Sequence, residues 1–236
     1  IKVARALDPL IVVSDSTKRD VHKDFKIPIQ RMVRIHHGID HELFTPQPHI
    51  TRRKNRLMAT ASADVPLKGL IYLIRAYHML LADHPDLELV VVGRLREGQT
   101  MDELNRLGIR DRVKFISGLS GEDIRDLYAE ATIAVSPSVY EGFGFPAGEA
   151  LSCGVPLVAT DGGSLPEVVG DAGIVVPHSN PPALARAIDG LLHDEDRRAD
   201  MSVKARQHIL DNFKWERCAR DVVQLYRQTI AAQKVA

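Results

Sequence analysis

Residues 132–160 read TIAVSPSVYEGFGFPAGEALSCGVPLVAT. The two ends of this stretch, residues 132–137 and 155–160, are nearly all apolar, so we interpret each end as a buried strand. Between them, Gly142 and Gly144 give the backbone the freedom of a tight loop, and Pro146 suits the first turn of a helix. The stretch therefore predicts a strand, a glycine loop, a helix and a second strand, which is the repeating unit of a parallel sheet.

The same alternation continues on both sides of this stretch. Further strands are predicted at residues 57–60, 87–93 and 113–116, and further helices at residues 68–82, 102–107, 121–130, 181–192, 196–210 and 215–230. Apolar strands that alternate with helices predict an α/β fold, a Rossmann-like doubly wound parallel sheet. Ligands of such sheets bind beyond the carboxyl ends of the strands.

Composition excludes several classes of protein. The 236 residues contain 31 Lys and Arg and 31 Asp and Glu, so no net charge attracts the chain to nucleic acid. Two cysteines are too few for a disulfide framework, which favours a reducing compartment. Because no long apolar run and no signal-peptide pattern is found, we expect a cytoplasmic protein.

The basic residues 52–56 are either a solvated linker or a peripheral contact with the anionic inner surface of a membrane.

The pattern of residues 1–30 differs from the strand and helix alternation of the main sheet. Residues 1–30 hold one predicted strand, at residues 9–13, and one predicted helix with a cap within residues 14–17. A lone strand and helix cannot bury their own apolar faces, so we interpret residues 1–30 as the remnant of a preceding domain. The alternative is an N-terminal strand that joins the main sheet. Residues 31–56 then predict an exposed connector, because Pro46, Pro48 and the basic cluster interrupt the pattern.

Two glutamates in the central stretch are candidate ligands. Glu141 lies in the glycine loop, and Glu149 lies about one turn into the helix. Glu141 can accept hydrogen bonds from sugar hydroxyls, while the positive end of the helix favours an anion such as a phosphate. A hydrolase that uses the two carboxylates as acid and nucleophile is an alternative, although its mechanism does not require the glycine loop. For Glu149, a surface acid favoured by the helix dipole is a further alternative.

Lys68 lies at the start of the helix that follows the first strand of the sheet. The helix dipole mildly disfavours a lysine there, so a role facing an anion explains Lys68 better than a solvated surface position. Fixed donors of this kind can stabilise a diphosphate leaving group without a metal ion.

His36, His37 and His41 lie close together in the sequence. No set of cysteines or nearby carboxylates completes a metal site around them, so we interpret them as loop residues.

The segment after residue 160 predicts a turn and a helix start. Gly162 and Gly163 predict a turn at the carboxyl end of a strand, beside the ligand pocket. Ser164 and Glu167 have the spacing of a capping box, which predicts that Glu167 caps the helix that begins there.

Several of these motifs occur together in one known family. They are PSVYEGFGFP at residues 137–146, Glu149, CGVPLVA at residues 153–159 and GGSLPEVVGDAG at residues 162–173, with outlying matches at Lys68, at Gly93, at HGID in residues 37–40 and at FKWE in residues 213–216. With these residues the chain resembles the C-terminal half of a retaining glycosyltransferase of the GT-B fold, in the group 1 (family 4) class.

The resemblance implies a role for each candidate residue. Glu141 would hold the hydroxyls of the donor sugar, Glu149 would bind the ribose, and Lys68 would neutralise the diphosphate, with Glu141 and Lys68 as the catalytic residues. The backbone near the donor sugar and diphosphate would be that of Gly142, Phe143, Gly144 and Phe145. The residues that border the base would be Arg94, Ser117 and Gly118.

The resemblance also implies partners and domain boundaries. A nucleoside-diphosphate sugar would donate a hexosyl group with retention, without a cofactor and without a metal. The acceptor, whether a glycan, a lipid or a small molecule, would need the N-terminal domain, supplied in cis or in trans. The implied divisions are a remnant of the acceptor domain at residues 1–30, the interdomain connector at 31–56, the nucleotide-sugar domain at 57–213, and a C-terminal helix at 214–236 that packs back toward the N-terminal domain.

The chain departs from the family at one position, and two alternative functions are still possible. Many members carry an arginine six positions before the lysine as a second diphosphate anchor, and this chain has Ser62 there. Diphosphate binding would then depend more on Lys68 and the helix end. A stand-alone nucleotide-sugar-binding module, or a subunit that pairs with a separate acceptor domain, is the main alternative. A GT-B relative that epimerises or phosphorolyses its substrate fits the glutamate loop less well.

Overall fold

The computed structural model of the chain describes residues 2–61 and 65–233, so Ser62 lies outside the described residues. The central stretch forms strand β6 (Ile133–Ser136), a glycine loop, helix α6 (Phe145–Ser152) and strand β7 (Leu157–Thr160). This confirms the order of elements that the sequence predicts.

A six-stranded parallel sheet forms the centre of the molecule. Its other strands are β3 (Arg56–Thr60), β4 (Glu88–Val92), β5 (Val113–Ile116) and β8 (Ile174–Val176). The strands lie in the order β5-β4-β3-β6-β7-β8. The chain therefore moves outward from β3 to β5, returns to β6 beside β3, and then moves the other way to β8. The crevice beyond the carboxyl ends of β3 and β6 is thus the topological switch point, where doubly wound sheets bind their ligands.

Helices alternate with these strands. They are α3 (Leu70–Leu80), α4 (Gln99–Arg106), α5 (Gly121–Glu130), α7 (Leu165–Val169), α8 (Pro181–Leu192), α9 (Glu195–Asn212) and α10 (Trp215–Gln233). The sequence patterns do not identify β8, because three residues are too few to show a hydrophobic period. Helix α7 begins at Leu165, directly after the helix start that the sequence predicts at Ser164.

The core lies on both faces of the sheet because the side chains of β3 point alternately to either side. Leu57 and Ala59 belong to an apolar cluster that includes residues of α3 and α8. Met58 belongs to a second cluster, which includes residues of α6 and α9. All three side chains are buried, which explains why the strands read as continuous apolar runs.

The N-terminal residues form a separate small unit. After α1 (Lys2–Ala6), strand β1 (Leu10–Val12) pairs in parallel with β2 (Met32–Arg34) in a two-stranded sheet. The alternative in which this strand joins the main sheet is therefore wrong. Helix α2 (Asp15–Phe25) connects the two strands, and the Ser14 hydroxyl accepts a hydrogen bond from the Thr17 N–H at 3.0 Å. The cap predicted within residues 14–17 is confirmed, and Ser14 is the residue that forms it.

The connector is fixed to the start of α10. The Ile39 N–H donates to the Phe213 carbonyl at 2.7 Å, and a Cβ at Gly38 would lie 2.4 Å from the Trp215 backbone. Only glycine therefore fits at position 38. Within residues 2–61 and 65–233, no helix has both the length and the apolar character needed to cross a membrane.

Candidate functional site at the switch point

Two loops meet at the carboxyl ends of β3 and β6. The loop after β6 donates from the Val139 N–H to the Leu67 carbonyl, in the loop after β3, at 2.8 Å. Gly69, at the start of α3, has a φ of +62°, and a Cβ there would lie 2.0 Å from the Pro137 carbonyl oxygen. Glycine at this position thus allows the two loops to touch.

This contact brings Lys68 and Glu141 together, although 73 positions separate them in the chain. The Lys68 Nζ lies 2.7 Å from the Glu141 Oε1, and the Ser138 hydroxyl donates to the same oxygen at 2.8 Å. The Glu141 side chain is 12% exposed and that of Lys68 is 32% exposed. The sequence identifies each residue separately, and the fold joins them in one ion pair.

A third loop, after β7, holds the backbone of Glu141. The Ser164 N–H and hydroxyl donate to the Glu141 carbonyl at 3.0 and 3.1 Å. At Gly163, where φ is +63°, a Cβ would lie 2.3 Å from the same carbonyl oxygen. The predicted turn at Gly162 and Gly163 therefore packs directly against the glutamate loop.

The glycine loop ends at the N-terminus of α6. Gly144 caps this helix with a φ of 99°, and Pro146 lies in its first turn, as the sequence predicts. Within residues 2–61 and 65–233, no group accepts a hydrogen bond from the backbone N–H of Gly142, Phe143, Gly144 or Phe145. These donors and the positive end of the helix together form an arrangement that can bind an anion.

The side chains of Phe143 and Phe145 point instead toward the connector. His37 stacks on Phe145 at 5.3 Å between ring centroids and meets the edge of buried Phe143 at 5.3 Å. His36 packs against Phe213 at 5.2 Å. Burial lowers the pKa of both histidines, which favours neutral rings at pH 7. The two histidines thus anchor the glycine loop by packing, a role that their sequence does not reveal.

The N-terminal unit also contacts the glycine loop. The Ser14 and Thr17 hydroxyls donate to the Gly142 carbonyl at 2.9 and 3.3 Å. The Glu167 carboxylate accepts from the Asp15 and Ser16 N–H groups, each at 2.8 Å. Glu167 therefore caps α2, and the predicted capping box with Ser164 is wrong, because the Ser164 side chain caps no helix and bonds to Glu141 instead. Sequence spacing cannot reveal a cap that acts on a distant helix.

Glu149 is the fifth residue of α6 and is half-buried. Burial raises the pKa of its carboxyl group to about 7. The neighbouring Tyr128 is fully buried and its hydroxyl donates to the Pro146 carbonyl at 3.0 Å. A partly buried position with a raised pKa fits a freely solvated surface acid less well than a ligand role.

The residues expected near the base follow neighbouring strands at the same edge of the sheet. Arg94 follows β4, and Ser117 and Gly118 follow β5; all three are exposed. A cavity of about 240 Å³ lies between the segments after β3 and β4, and its lining includes Pro66, Leu70 and residues 97–100. The carboxyl edge thus offers space beside the Lys68 loop.

The chain matches a family of known proteins over most of its length. The family model described as "Glycosyl transferases group 1" matches residues 44–208. The chain is 37% identical over 235 residues to the MMP alpha-(1->4)-mannosyltransferase of Mycolicibacterium hassiacum, covering 98% of this chain and 56% of that protein. It spans about half the length of the curated relatives that it matches.

Solved structures share the fold. HepE of Anabaena, determined in complex with UDP and glucose, superposes with a TM-score of 0.84 at 21% identity, covering 96% of this chain and 65% of that one. The C-terminal domain of the glycosyl transferase group 1 family protein LpcC of Francisella tularensis superposes with a TM-score of 0.66 at 23% identity, covering 75% of this chain and 99% of that one.

Proposed function

This chain belongs to the group 1 glycosyltransferases and has the fold of a GT-B C-terminal domain, and on that premise we propose that it binds the donor for hexosyl transfer. The donor is a nucleoside-diphosphate sugar, and transfer proceeds with retention of configuration. One observation carries the proposal: the ion pair of Lys68 and Glu141 lies at the switch point, beside four backbone N–H groups that donate to no other group in residues 2–61 and 65–233.

Each group has chemistry suited to one part of the donor. Lys68 and the N–H groups of residues 142–145 offer positive charge to the diphosphate, which is the leaving group when the glycosidic bond breaks. The Glu141 carboxylate accepts hydrogen bonds from sugar hydroxyls. Glu149, one turn further along α6, accepts hydrogen bonds from the ribose.

The names of similar proteins support this donor class. A mannosyltransferase acts on a hexose, and HepE was determined with UDP and glucose. We propose retention from the resemblance of residues 137–173 to the retaining group 1 enzymes. The proposed donor site needs no metal, because Lys68 and the helix end supply the positive charge.

We propose that transfer requires more than these 236 residues. The chain spans 56% of the mannosyltransferase that it resembles, and the acceptor, whether a glycan, a lipid or a small molecule, would bind outside the donor site. A nucleotide-sugar-binding module or subunit that pairs with a separate acceptor domain is the second candidate. Both candidates require donor binding, and only the enzyme transfers sugar once the acceptor half is supplied.

Calorimetry on the chain with UDP, GDP and ADP and with their sugars tests the donor site. We expect Glu149→Ala to weaken the binding of free nucleotide and sugar nucleotide alike, because both ligands carry the ribose. We expect Glu141→Ala to weaken only the sugar nucleotide. Each lost hydrogen bond to a carboxylate corresponds to roughly a tenfold loss of affinity or more.

Glu42→Ala is the control, since Glu42 is an exposed glutamate in the connector. This variant should bind both ligands as the wild type does. Equal losses for both ligands in Glu141→Ala would rule out the division of roles between the two glutamates. No binding of any of these ligands at millimolar concentration would rule out the donor site itself.

A further inference from the structure

A second group of titratable side chains lies at the opposite edge of the sheet. His84 lies between α3 and β4, Asp189 lies in the last turn of α8, and His193 immediately follows that helix. Because α3 leads into the start of β4, and α8 begins beyond the carboxyl end of β8, both helices end at the amino edge of the parallel strands. The cluster is therefore on the far side of the sheet from Lys68 and Glu141.

The three side chains converge on one point. The Nε2 atoms of His84 and His193 lie 2.7 and 3.4 Å from the same oxygen, Asp189 Oδ1. One ligand atom from each residue lies within 4.8 Å of the others, and the two imidazole centroids are 5.1 Å apart. In the described part of the chain, no other group of three or more His, Cys, Asp or Glu side chains meets this condition.

Two imidazoles and one carboxylate are a ligand set that Zn²⁺ takes in proteins. Bonds of about 2.1 Å to a tetrahedral ion place neighbouring ligand atoms about 3.4 Å apart. The distance from His193 to Asp189, 3.4 Å, already has this value. The 2.7 Å contact from His84 to Asp189 must lengthen by about 0.7 Å, since the ion replaces the proton between those atoms.

The exposure of the three side chains would let an ion enter the cluster from solvent. The His84 side chain is 10% exposed, so packing holds it in place. The side chains of Asp189 and His193 are 45% and 69% exposed, which leaves an open side for the ion and for a water molecule as the fourth ligand. His193 follows Asp189 by four positions, so one turn of helix presents both ligands on the same face.

We propose that His84, Asp189 and His193 form a Zn²⁺ site that joins the end of α3 to the end of α8. Both helices pack on the same face of the sheet, in the cluster that contains Leu57 and Ala59. An ion there stabilises that packing by linking two elements that are far apart in the sequence. The site is separate from donor binding, which the proposed function leaves without a metal.

Calorimetry of the chain with Zn²⁺, after treatment with a chelator, tests the site. We expect one ion per chain, and a melting temperature that rises by roughly 5–10 °C when free Zn²⁺ is 100 times its dissociation constant. Co²⁺ in its place should give the visible absorption bands of a tetrahedral ion, which a weak surface association would not give.

The variants Asp189→Asn and His193→Gln each remove one ligand at an exposed position, so both should fold. We expect at least roughly tenfold weaker Zn²⁺ binding and loss of the Co²⁺ bands in each, since even indirect partners of a metal contribute that much. His78→Gln is the matched control, because His78 is an exposed histidine on α3 outside the cluster and should leave binding unchanged.

Two results would overturn the site. One is a wild-type chain whose melting temperature does not respond to Zn²⁺, which would leave the three residues as a hydrogen-bonded cluster only. The other is an Asp189→Asn chain that is folded by circular dichroism and binds Zn²⁺ as tightly as the wild type.

Discussion

Glu149 combines a candidate ligand role with an unfavourable position for a charge. Burial raises the pKa of its carboxyl group to about 7 from the usual 4.5 of a glutamate. The folded chain therefore binds a proton at Glu149 between these two pH values, while the unfolded chain does not. The free energy of unfolding therefore decreases as the pH rises from 4.5 to about 7, because the folded chain must lose this proton and bury a charge.

We expect Glu149→Gln to remove this dependence, because glutamine has no charge to bury. The variant should be more stable than the wild type by about 3 kcal/mol at pH 8, and nearly equal to it at pH 4.5. Urea denaturation at both pH values measures the difference. Exposed Glu42→Gln is the control, and a Glu149→Gln difference that does not change with pH would contradict the buried charge.

The sequence names candidate site residues more easily than it predicts their contacts. Glu141, Glu149 and Lys68 follow from motif, helix position and family resemblance. The hydrogen bond from Ser164 to the Glu141 carbonyl could not be predicted. The spacing of Ser164 and Glu167 is that of a capping box, so the sequence favours a local role for Ser164 over a bond to a distant loop. A local pattern says what a residue can do nearby, and the fold decides whether a distant group competes for it.

Among the elements, the start of α3 has the tightest geometric constraint. Gly69 has a φ of +62°, and a Cβ there would lie 2.0 Å from the Pro137 carbonyl oxygen. We expect Gly69→Ala to lower the free energy of unfolding by about 2–5 kcal/mol, because it adds backbone strain and a collision between two loops. Guanidinium denaturation measures the loss.

Gly190→Ala is a matched control for this change. Gly190 lies within α8, and a Cβ there would meet nothing within 4 Å. This variant should gain about 0.5–1 kcal/mol, since alanine costs less conformational entropy in a helix than glycine does. A Gly69→Ala chain as stable as Gly190→Ala would show that the two loops can separate without cost.

The elements of the sheet show where sequence patterns succeed and fail. Strands β3, β4 and β5 lie where their apolar runs predict them, because strands buried on both faces must be apolar throughout. Strand β8 was not predicted, since Ile174–Val176 has only three residues and the middle one, Val175, is exposed. Its pairing with β7 holds it in the sheet, and pairing is not a property of a local sequence.

On the scale of the whole molecule, the N-terminal unit and the sheet domain meet at the glycine loop. The Ser14 hydroxyl both caps α2 and donates to the Gly142 carbonyl at 2.9 Å. We expect Ser14→Ala to cost about 1 kcal/mol of stability through the lost cap. It should also weaken sugar-nucleotide binding roughly 2- to 10-fold, because the loop loses a hydrogen bond that holds it in place.

Asp194→Ala separates the two effects. Asp194 caps α9 by accepting from the Arg197 N–H at 2.9 Å, at a helix that does not supply the glycine loop. This control should lose similar stability in thermal denaturation while its calorimetric affinity stays that of the wild type. If both variants bind the donor equally well, the contact from Ser14 does not position the loop.

The ion pair of Lys68 and Glu141 has a consequence for turnover. In the proposed donor complex, a sugar nucleotide would offer phosphate oxygens to Lys68 and hydroxyls to Glu141, so both charges would keep a partner when the pair opens. The nucleoside diphosphate that would remain after transfer has no sugar, and it would leave the Glu141 carboxylate, 12% exposed, with the Ser138 hydroxyl but without a cation or a sugar hydroxyl. We therefore expect the pair to re-form as the spent nucleotide leaves, so that the same two residues that hold the donor also limit inhibition by the product.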